Sequence, residues 1–179
     1  GPIVTFSASL AATLLIPLSG MEAPVVFQGD LIVFAYLWGL ARFFTMTAAL
    51  DTGSAFEGMG ASREALFSCL AEPTLLLRLL TLAREASSFS LSDMLSVGLI
   101  RVWAFHAPAL CLVIAALIVV FLTENARIPI DDPTTHLELT MIHEVMVLDH
   151  GGPDLALIEV AAAVKFFALG TILVRMVHP

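Results

Sequence analysis

The sequence predicts an all-α, polytopic integral membrane protein, a single domain (1–179) built as a bundle of about five spanning helices. Two observations carry this prediction. The chain is 59% hydrophobic and only 13% charged, whereas soluble domains carry about 25% charged residues. Apolar runs of spanning length also recur along it, and a hydrocarbon core about 30 Å thick needs roughly 20 apolar residues per helix.

The five apolar runs lie at 3–19, 31–50, 65–83, 104–122 and 155–177. The first run has no basic leader of the kind with which a signal peptide begins, so we expect this run to be a span of the mature protein. The longer connections are Gly-rich at 51–64, Ser-rich at 84–103 and acidic at 123–154. Lys and Arg fall on both sides of the spans, so the positive-inside rule does not set the orientation.

Composition also excludes several classes of function. A net charge of −8 argues against a nucleic-acid surface and against anionic lipid as the main ligand, and it fits burial against partner subunits. Cys69 and Cys111 lie inside apolar runs, where we expect small buried hydrophobic side chains. The sequence has no CxxC pair, phosphate loop or nucleophile elbow, so we expect no cofactor held by this chain.

Ionisable residues inside the apolar runs are the informative ones. Arg42 lies near the middle of the second run, where a lone arginine costs about 2.5–3.5 kcal/mol. Glu72 lies in the third run beside Pro73, and pairing it with Arg42 would relieve both charges. The alternative is that each side chain reaches out to the interface. Glu159 and Lys165 are six residues apart and therefore on different helix faces, so each needs a partner elsewhere.

The fourth run ends in an unusually polar segment, "TENARIPIDDPTTHLEL". Glu124 and Asn125 cap the run, and the prolines at 129 and 133 force an extended stretch. Asp132 before Pro133 is a good start for a new helix, which we expect to be amphipathic, to cover 133–149 and to end at Gly151. Its histidines recur every seven residues, about 10.5 Å apart, too far for one metal ion.

Two stretches carry a resemblance to a known family. "ARFFTMTAALDTGSAFEGMGASREALFSCLAEP" and "FLTENARIPIDDPTTHLELTMIHEVMVLDHGGPDLALIE" resemble the membrane anchor subunit of group 4 membrane-bound [NiFe] hydrogenases, of the hydrogenase-4 and formate hydrogenlyase type. That subunit is similar to subunit 1 of respiratory complex I, the NADH dehydrogenase of respiratory chains. The resemblance implies a fold of about eight spanning helices, of which this chain holds part, with 51–64 and 123–154 on the same, cytoplasmic side.

The resemblance further implies a coupling subunit without catalysis of its own in the inner (plasma) membrane of a prokaryote. It would dock a [NiFe] hydrogenase-like large subunit and an iron–sulfur small subunit, which would hold the [NiFe] centre and the iron–sulfur clusters, and it would adjoin antiporter-like membrane subunits. Electron transfer would drive translocation of protons or sodium ions. The implied proton relay is Glu72, Glu124 and Glu144, and the implied docking residues are Asp51, Arg63, Arg127, Asp131 and Asp132.

Several alternatives stay open from the residues. For Asp131 and Asp132, helix capping and loop shaping are favoured over proton transfer, and Glu144 could belong to a solvated helix face. The chain could instead be the quinone-chamber subunit of a true NADH:quinone oxidoreductase, although "PTTH" stands here where complex I has a further acid pair. An independent ion transporter is the third reading, but the repeats typical of transporters are missing from this sequence.

Overall fold

The computed structural model describes residues 1–18, 21–127, 131 and 142–177, without the side chains of residues 97, 98 and 101. The elements in this part are α1 (Pro2–Thr13), α2 (Asp30–Asp51), α3 (Ala55–Ala86), α4 (Leu91–Asp93), a π-helical segment (Met94–Gly98), α5 (Leu99–Glu124), α6 (His143–Met146) and α7 (Gly152–Val177). Four of the described helices, α2, α3, α5 from Val102 onward and α7, are long and apolar enough to cross a membrane. The predicted polytopic helix bundle is confirmed.

The first apolar run forms a shorter helix than its composition suggests. α1 ends at Thr13, although the apolar run predicts a span as far as residue 19. Pro17 lies four residues after Thr13, so its ring would clash with the carbonyl of Thr13 and it has no N–H to donate. The chain therefore leaves α1 through turns, with Ile16 donating its N–H to Thr13 at 3.2 Å.

The expected Gly-rich connection at 51–64 is mostly helix, because α3 begins at Ala55 and runs for 32 residues. The turn from α2 is confined to 52–54, where Gly53 adopts a left-handed φ of 69°. Gly60 lies inside the helix and allows a close approach: a Cβ there would lie 3.0 Å from the Ile142 carbonyl oxygen and from Cγ of Met146. Glycine at this position serves packing and does not break the helix.

α5 is kinked near its start. His106 has non-helical dihedral angles, φ −133° and ψ 32°, and Pro108 follows two residues later. Proline removes one hydrogen bond of the helix and crowds the preceding turn, which is the common cause of such a kink. The Ser-rich connection expected at 84–103 is correspondingly short, since helix resumes at Leu91. The predicted amphipathic helix at 133–149 lies mostly outside the described residues. The described segment 142–150 contains the single-turn helix α6.

The long helices and α1 form a closed ring in the order α1, α2, α3, α5, α7, each packing against the next, and α7 packs back on α1. Because successive helices run in opposite directions, the start of α3, the end of α5 and the start of α7 lie at one end, here called the elbow end. The apolar core fills the opposite half of the bundle, and its largest buried members include Leu31, Phe34, Leu79, Leu95, Leu99, Ile172 and Met176. The elbow half holds a smaller apolar cluster of Ala49, Ala61 and Met146 beside its buried polar groups.

Both cysteines lie on the outside of the bundle. Cys69 and Cys111 are free and exposed, which corrects the expectation that they are buried. Lipid is as apolar as a protein core, so an outward position in a membrane helix suits a small hydrophobic side chain as well as an inward one.

The close approach at Gly60 can be tested with a matched pair of substitutions. Gly58→Ala should raise the free energy of unfolding by about 0.5–1 kcal/mol, because alanine is the better helix former and a Cβ at Gly58 meets nothing within 4 Å. Gly60→Ala should lose that gain, because its methyl group would meet the Ile142 carbonyl. Thermal unfolding in detergent measures both, and equal stabilisation at the two positions would contradict the packing described.

Candidate functional site

Arg42 in α2 is the centre of a buried charge cluster in the elbow half. Its Nε lies 2.9 Å from Oε1 of Glu64, and its Nη1 donates to Oε1 of Glu72 at 2.5 Å. Its Nη2 donates to Oε2 of Glu124. Three nitrogens of one guanidinium thus hold carboxylates from α3 and α5. The planar fork of arginine allows this, whereas lysine offers a single nitrogen.

Lys165 in α7 completes the cluster. Its Nζ lies 2.7 Å from Oε2 of Glu124 and donates to the backbone carbonyl of the same residue at 2.9 Å. In the described part of the chain, the cluster therefore combines two cations with three carboxylates, a formal charge of −1 if all are ionised. Ion pairs at this site thus join four helices of the ring, α2, α3, α5 and α7.

Glu124 reaches this position because α5 stops inside the bundle. Lys165 is thirteen residues into α7 (165 − 152), and Arg42 is nine residues before the end of α2 (51 − 42), which at 1.5 Å per residue places both roughly 10–20 Å below the elbow end. Asn125 closes α5 by donating its side-chain amide to the Phe121 carbonyl at 2.7 Å.

A cavity of about 110 Å³ lies beside the cluster, lined among others by Trp38, Arg42, Glu64, Glu124, His143 and Lys165. The Glu124 side chain is only 2% exposed, and its Oε1 has no hydrogen-bond partner among the described residues. No group of three or more His, Cys, Asp or Glu side chains that could hold a metal ion is found in the described ranges. The site therefore offers ionisable and hydrogen-bonding groups of both charges around a partly open cavity.

Two buried carboxylates hold the segment 142–150 over this cavity. Asp131 Oδ2 accepts the backbone N–H groups of Ile142 and His143, at 3.0 and 3.3 Å. Glu57, which is 1% exposed, accepts the N–H of Asp149 at 3.2 Å through Oε1 and the hydroxyl of Thr52 through Oε2. The described parts of 51–64 and 123–154 therefore meet at one end of the bundle, and the family resemblance implied that the two segments share one side.

The structure brings together some of the predicted site residues. Arg42, Glu72 and Glu124 share the cluster, and the expected pairing of Arg42 with Glu72 is observed. Glu144 is exposed on α6, away from the cluster.

The predicted docking residues take different positions at the elbow end. Asp51 and Arg127 are exposed, and Arg63 is half-buried. Asp131 is buried within the chain as a loop-shaping residue, while Asp132 lies outside the described residues.

Four residues of the site were missed or left unassigned by sequence reasoning: Glu57, Glu64, His143 and Lys165. Glu57, Gly60 and Glu64 recur at helical spacing, which would have placed them on one face had 51–64 been read as helix. The two nearby glycines concealed this signal. Lys165 was expected to need a partner other than Glu159, and its partner is Glu124, whereas Glu159 is exposed.

Arg42 should be the residue on which the cluster depends for stability. Arg42→Ala leaves three carboxylates without their shared cation and should destabilise the bundle by about 3–5 kcal/mol, the usual effect of breaking a buried ion pair. Arg42→Lys should recover part of this loss. Thermal unfolding in detergent is the measurement. Arg84→Ala, at an exposed arginine in the last turn of α3, is the control and should change stability by less than about 0.5 kcal/mol; a similar effect of both alanine variants would contradict the assignment.

Comparison with known proteins agrees with this architecture. Hydrogenase-4 component C of Escherichia coli (strain K12) is 34% identical to this chain over 178 residues, which are 99% of this chain and 55% of that protein. Formate hydrogenlyase subunit 4 of the same organism is 35% identical over 143 residues, 77% of this chain and 45% of that protein. The chain thus spans about half the length of these two relatives. A family model described as NADH dehydrogenase matches residues 1–177, and the chain therefore belongs to the NADH dehydrogenase family.

Proposed function

We propose that the chain is the membrane subunit of a complex I-like hydrogenase complex, in which it docks peripheral redox subunits and couples their electron transfer to translocation of protons or sodium ions. The names of the two relatives, a hydrogenase-4 component and a formate hydrogenlyase subunit, support this over a quinone-reducing NADH dehydrogenase. The complex would lie in the inner membrane of a prokaryote.

The observation that carries the proposal is the unbalanced charge cluster around Arg42. Three carboxylates compete there for two cations. Burial disfavours an uncompensated charge, so binding of one proton brings the cluster to neutrality. A change of charge or shape at a docked partner then alters which carboxylate holds the proton. Intramembrane ionisable groups arranged in this way are typical of proton paths.

The redox partners would dock at the elbow end. Asp51 and Arg127 are exposed there, and Arg127 also contacts the Phe166 ring at 5.8 Å. Arg127 also lines the cavity, so the same residue borders both the proposed docking surface and the cavity beside the cluster. The partners would be a [NiFe] hydrogenase-like large subunit and an iron–sulfur small subunit, with the [NiFe] centre and the clusters in those chains.

A second partner would cover Glu72. Its side chain is 43% exposed although it pairs with Arg42, and it lies about halfway along the spanning helix α3. An ionisable group is costly against hydrocarbon, so this face needs a neighbour or water. An antiporter-like membrane subunit on this side would receive protons that leave the cluster through Glu72. The relay then runs from Glu124 through the Arg42 cluster to Glu72, and Glu144 contributes at the docking surface.

Glu72→Gln tests the relay. In the intact complex, the variant should assemble and retain the redox reaction of the peripheral subunits with artificial dyes, but should lose most proton translocation, because glutamine cannot carry a proton. The matched control is Glu85→Gln, in the same helix with a side chain that is also 43% exposed and lies 4.0 Å from His106. The ratio of protons moved to electrons transferred in proteoliposomes gives the result. Full coupling in Glu72→Gln would remove Glu72 from the relay.

The coupling role also predicts what the subunit does alone. Reconstituted in liposomes without its partners, it should show no flux of protons or sodium ions, because nothing then changes the charge at the elbow end. Fluorescent dyes inside the liposomes measure the flux, with the intact complex as the positive control. Sustained flux from the isolated subunit would favour an independent ion transporter instead.

A further inference from the structure

Three buried polar atoms around the cavity have no hydrogen-bond partner among the described residues: Nε1 of Trp38, Oε1 of Glu124 and Nε2 of His143. All three residues line the same cavity. Buried polar groups in folded proteins are almost always hydrogen-bonded, to protein or to ordered water. Three such atoms in residues that line one cavity indicate that the cavity supplies their partner.

Water fits this space. To hold one water molecule, a cavity needs two to four polar partners and about 10–15 Å³ of volume open to the centre of a water-sized sphere. Measured in the same way, this cavity has about 110 Å³. Besides the three unpartnered atoms, the ionisable groups that line it are Arg42, Glu64, Arg127 and Lys165. The cavity therefore has room and hydrogen-bonding groups for several water molecules in contact with one another.

His143 is held at the wall of this cavity by its backbone. The Asp131 carboxylate accepts the N–H of His143 and of the residue before it, and Gly60 brings α3 against the carbonyl of Ile142. The imidazole itself takes no part in this attachment. The His143 residue is half-buried, and the Nε2 atom of its ring is buried.

The three unpartnered groups differ in what they can do with a proton. The indole N–H of Trp38 can only donate a hydrogen bond, whereas a carboxyl and an imidazole can each take up and release a proton. We propose that His143 exchanges a proton with Glu124 through water in this cavity, and so connects the buried cluster to the elbow surface. This role rests on the proposed coupling function and adds to it a residue that is not a carboxylate.

The exchange is a proton transfer without redox change. The O–H bond of protonated Glu124 breaks, one water molecule takes the proton and passes its own to Nε2 of His143, and an N–H bond forms there. Glu124 is left as a carboxylate beside Arg42 and Lys165, which stabilise it, and His143 is left as an imidazolium. Reversal of the same steps restores both groups.

The test compares variants in the intact complex. His143→Phe keeps the ring volume and His143→Gln keeps a polar side chain, but neither can accept a proton; both should lose most proton translocation per electron, as Glu124→Gln should. His106→Phe is the control, because that imidazole is exposed at the opposite end of the bundle and does not line the cavity. A second readout is redox-induced infrared difference spectroscopy, in which the carboxyl band lost in Glu124→Gln should shift in both His143 variants.

The outcomes separate the two proposals. Loss of coupling in the Glu124 and His143 variants, with the band shift and an unaffected control, supports the exchange. If Glu124→Gln loses coupling while His143→Gln keeps it and the band does not move, the role of His143 is overturned and the relay stands. If none of the three variants loses coupling, the proposed function falls, and this exchange with it. A high-resolution map of the complex that shows the cavity without water would also overturn the exchange.

Discussion

The elbow half of the bundle depends on one guanidinium that binds three carboxylates. A lone arginine in a membrane helix is costly, and the carboxylates of Glu64, Glu72 and Glu124 offset that cost. Each ion pair joins α2 to another helix, and Lys165 extends the connection to α7. The apolar core at the opposite end packs the same helices by side-chain contact. The bundle thus combines an apolar core with an ion-pair network in its elbow half.

These two ends respond differently to a disturbance. A packed apolar core resists small changes because its side chains interlock, whereas an ion-pair network with one surplus negative charge has neighbouring arrangements that differ by the position of a proton. The same guanidinium binds an enclosed carboxylate, Glu124, and a partly exposed one, Glu72. Under the proposed function, loss of a proton by one and gain by the other would move charge between the interior of the bundle and its outer face.

The sequence predicted those features in which a single physical cost dominates. The cost of a lone charge in lipid predicted the Arg42–Glu72 pair, and apolar run length predicted the four long helices. It failed where two readings of a residue compete. Gly58 and Gly60 suggest a loop, but both lie inside the helix α3, where the missing side chain of Gly60 lets the Ile142 carbonyl approach closely. Because this part of the helix was not predicted, Glu57 and Glu64 could not be placed. The apolar composition of 3–19 predicted a span as far as residue 19, but Pro17 ends the helix earlier, at Thr13. Which nitrogen of Arg42 meets which carboxylate depends on tertiary packing that no local pattern carries.

The attachment of the segment 142–150 explains how one short stretch can face both the cluster and the elbow surface. Asp131 and Glu57 bind its backbone N–H groups, so its path does not depend on hydrogen bonds made by its own side chains. Adjacent residues are then available for opposite tasks: His143 has its Nε2 enclosed at the cavity, and Glu144 is exposed at the elbow surface. Because both sit on the single turn of α6, a partner that displaced Glu144 would, under the proposed function, also displace the His143 imidazole. Contact at the surface would thereby become a change in hydrogen bonding around Glu124.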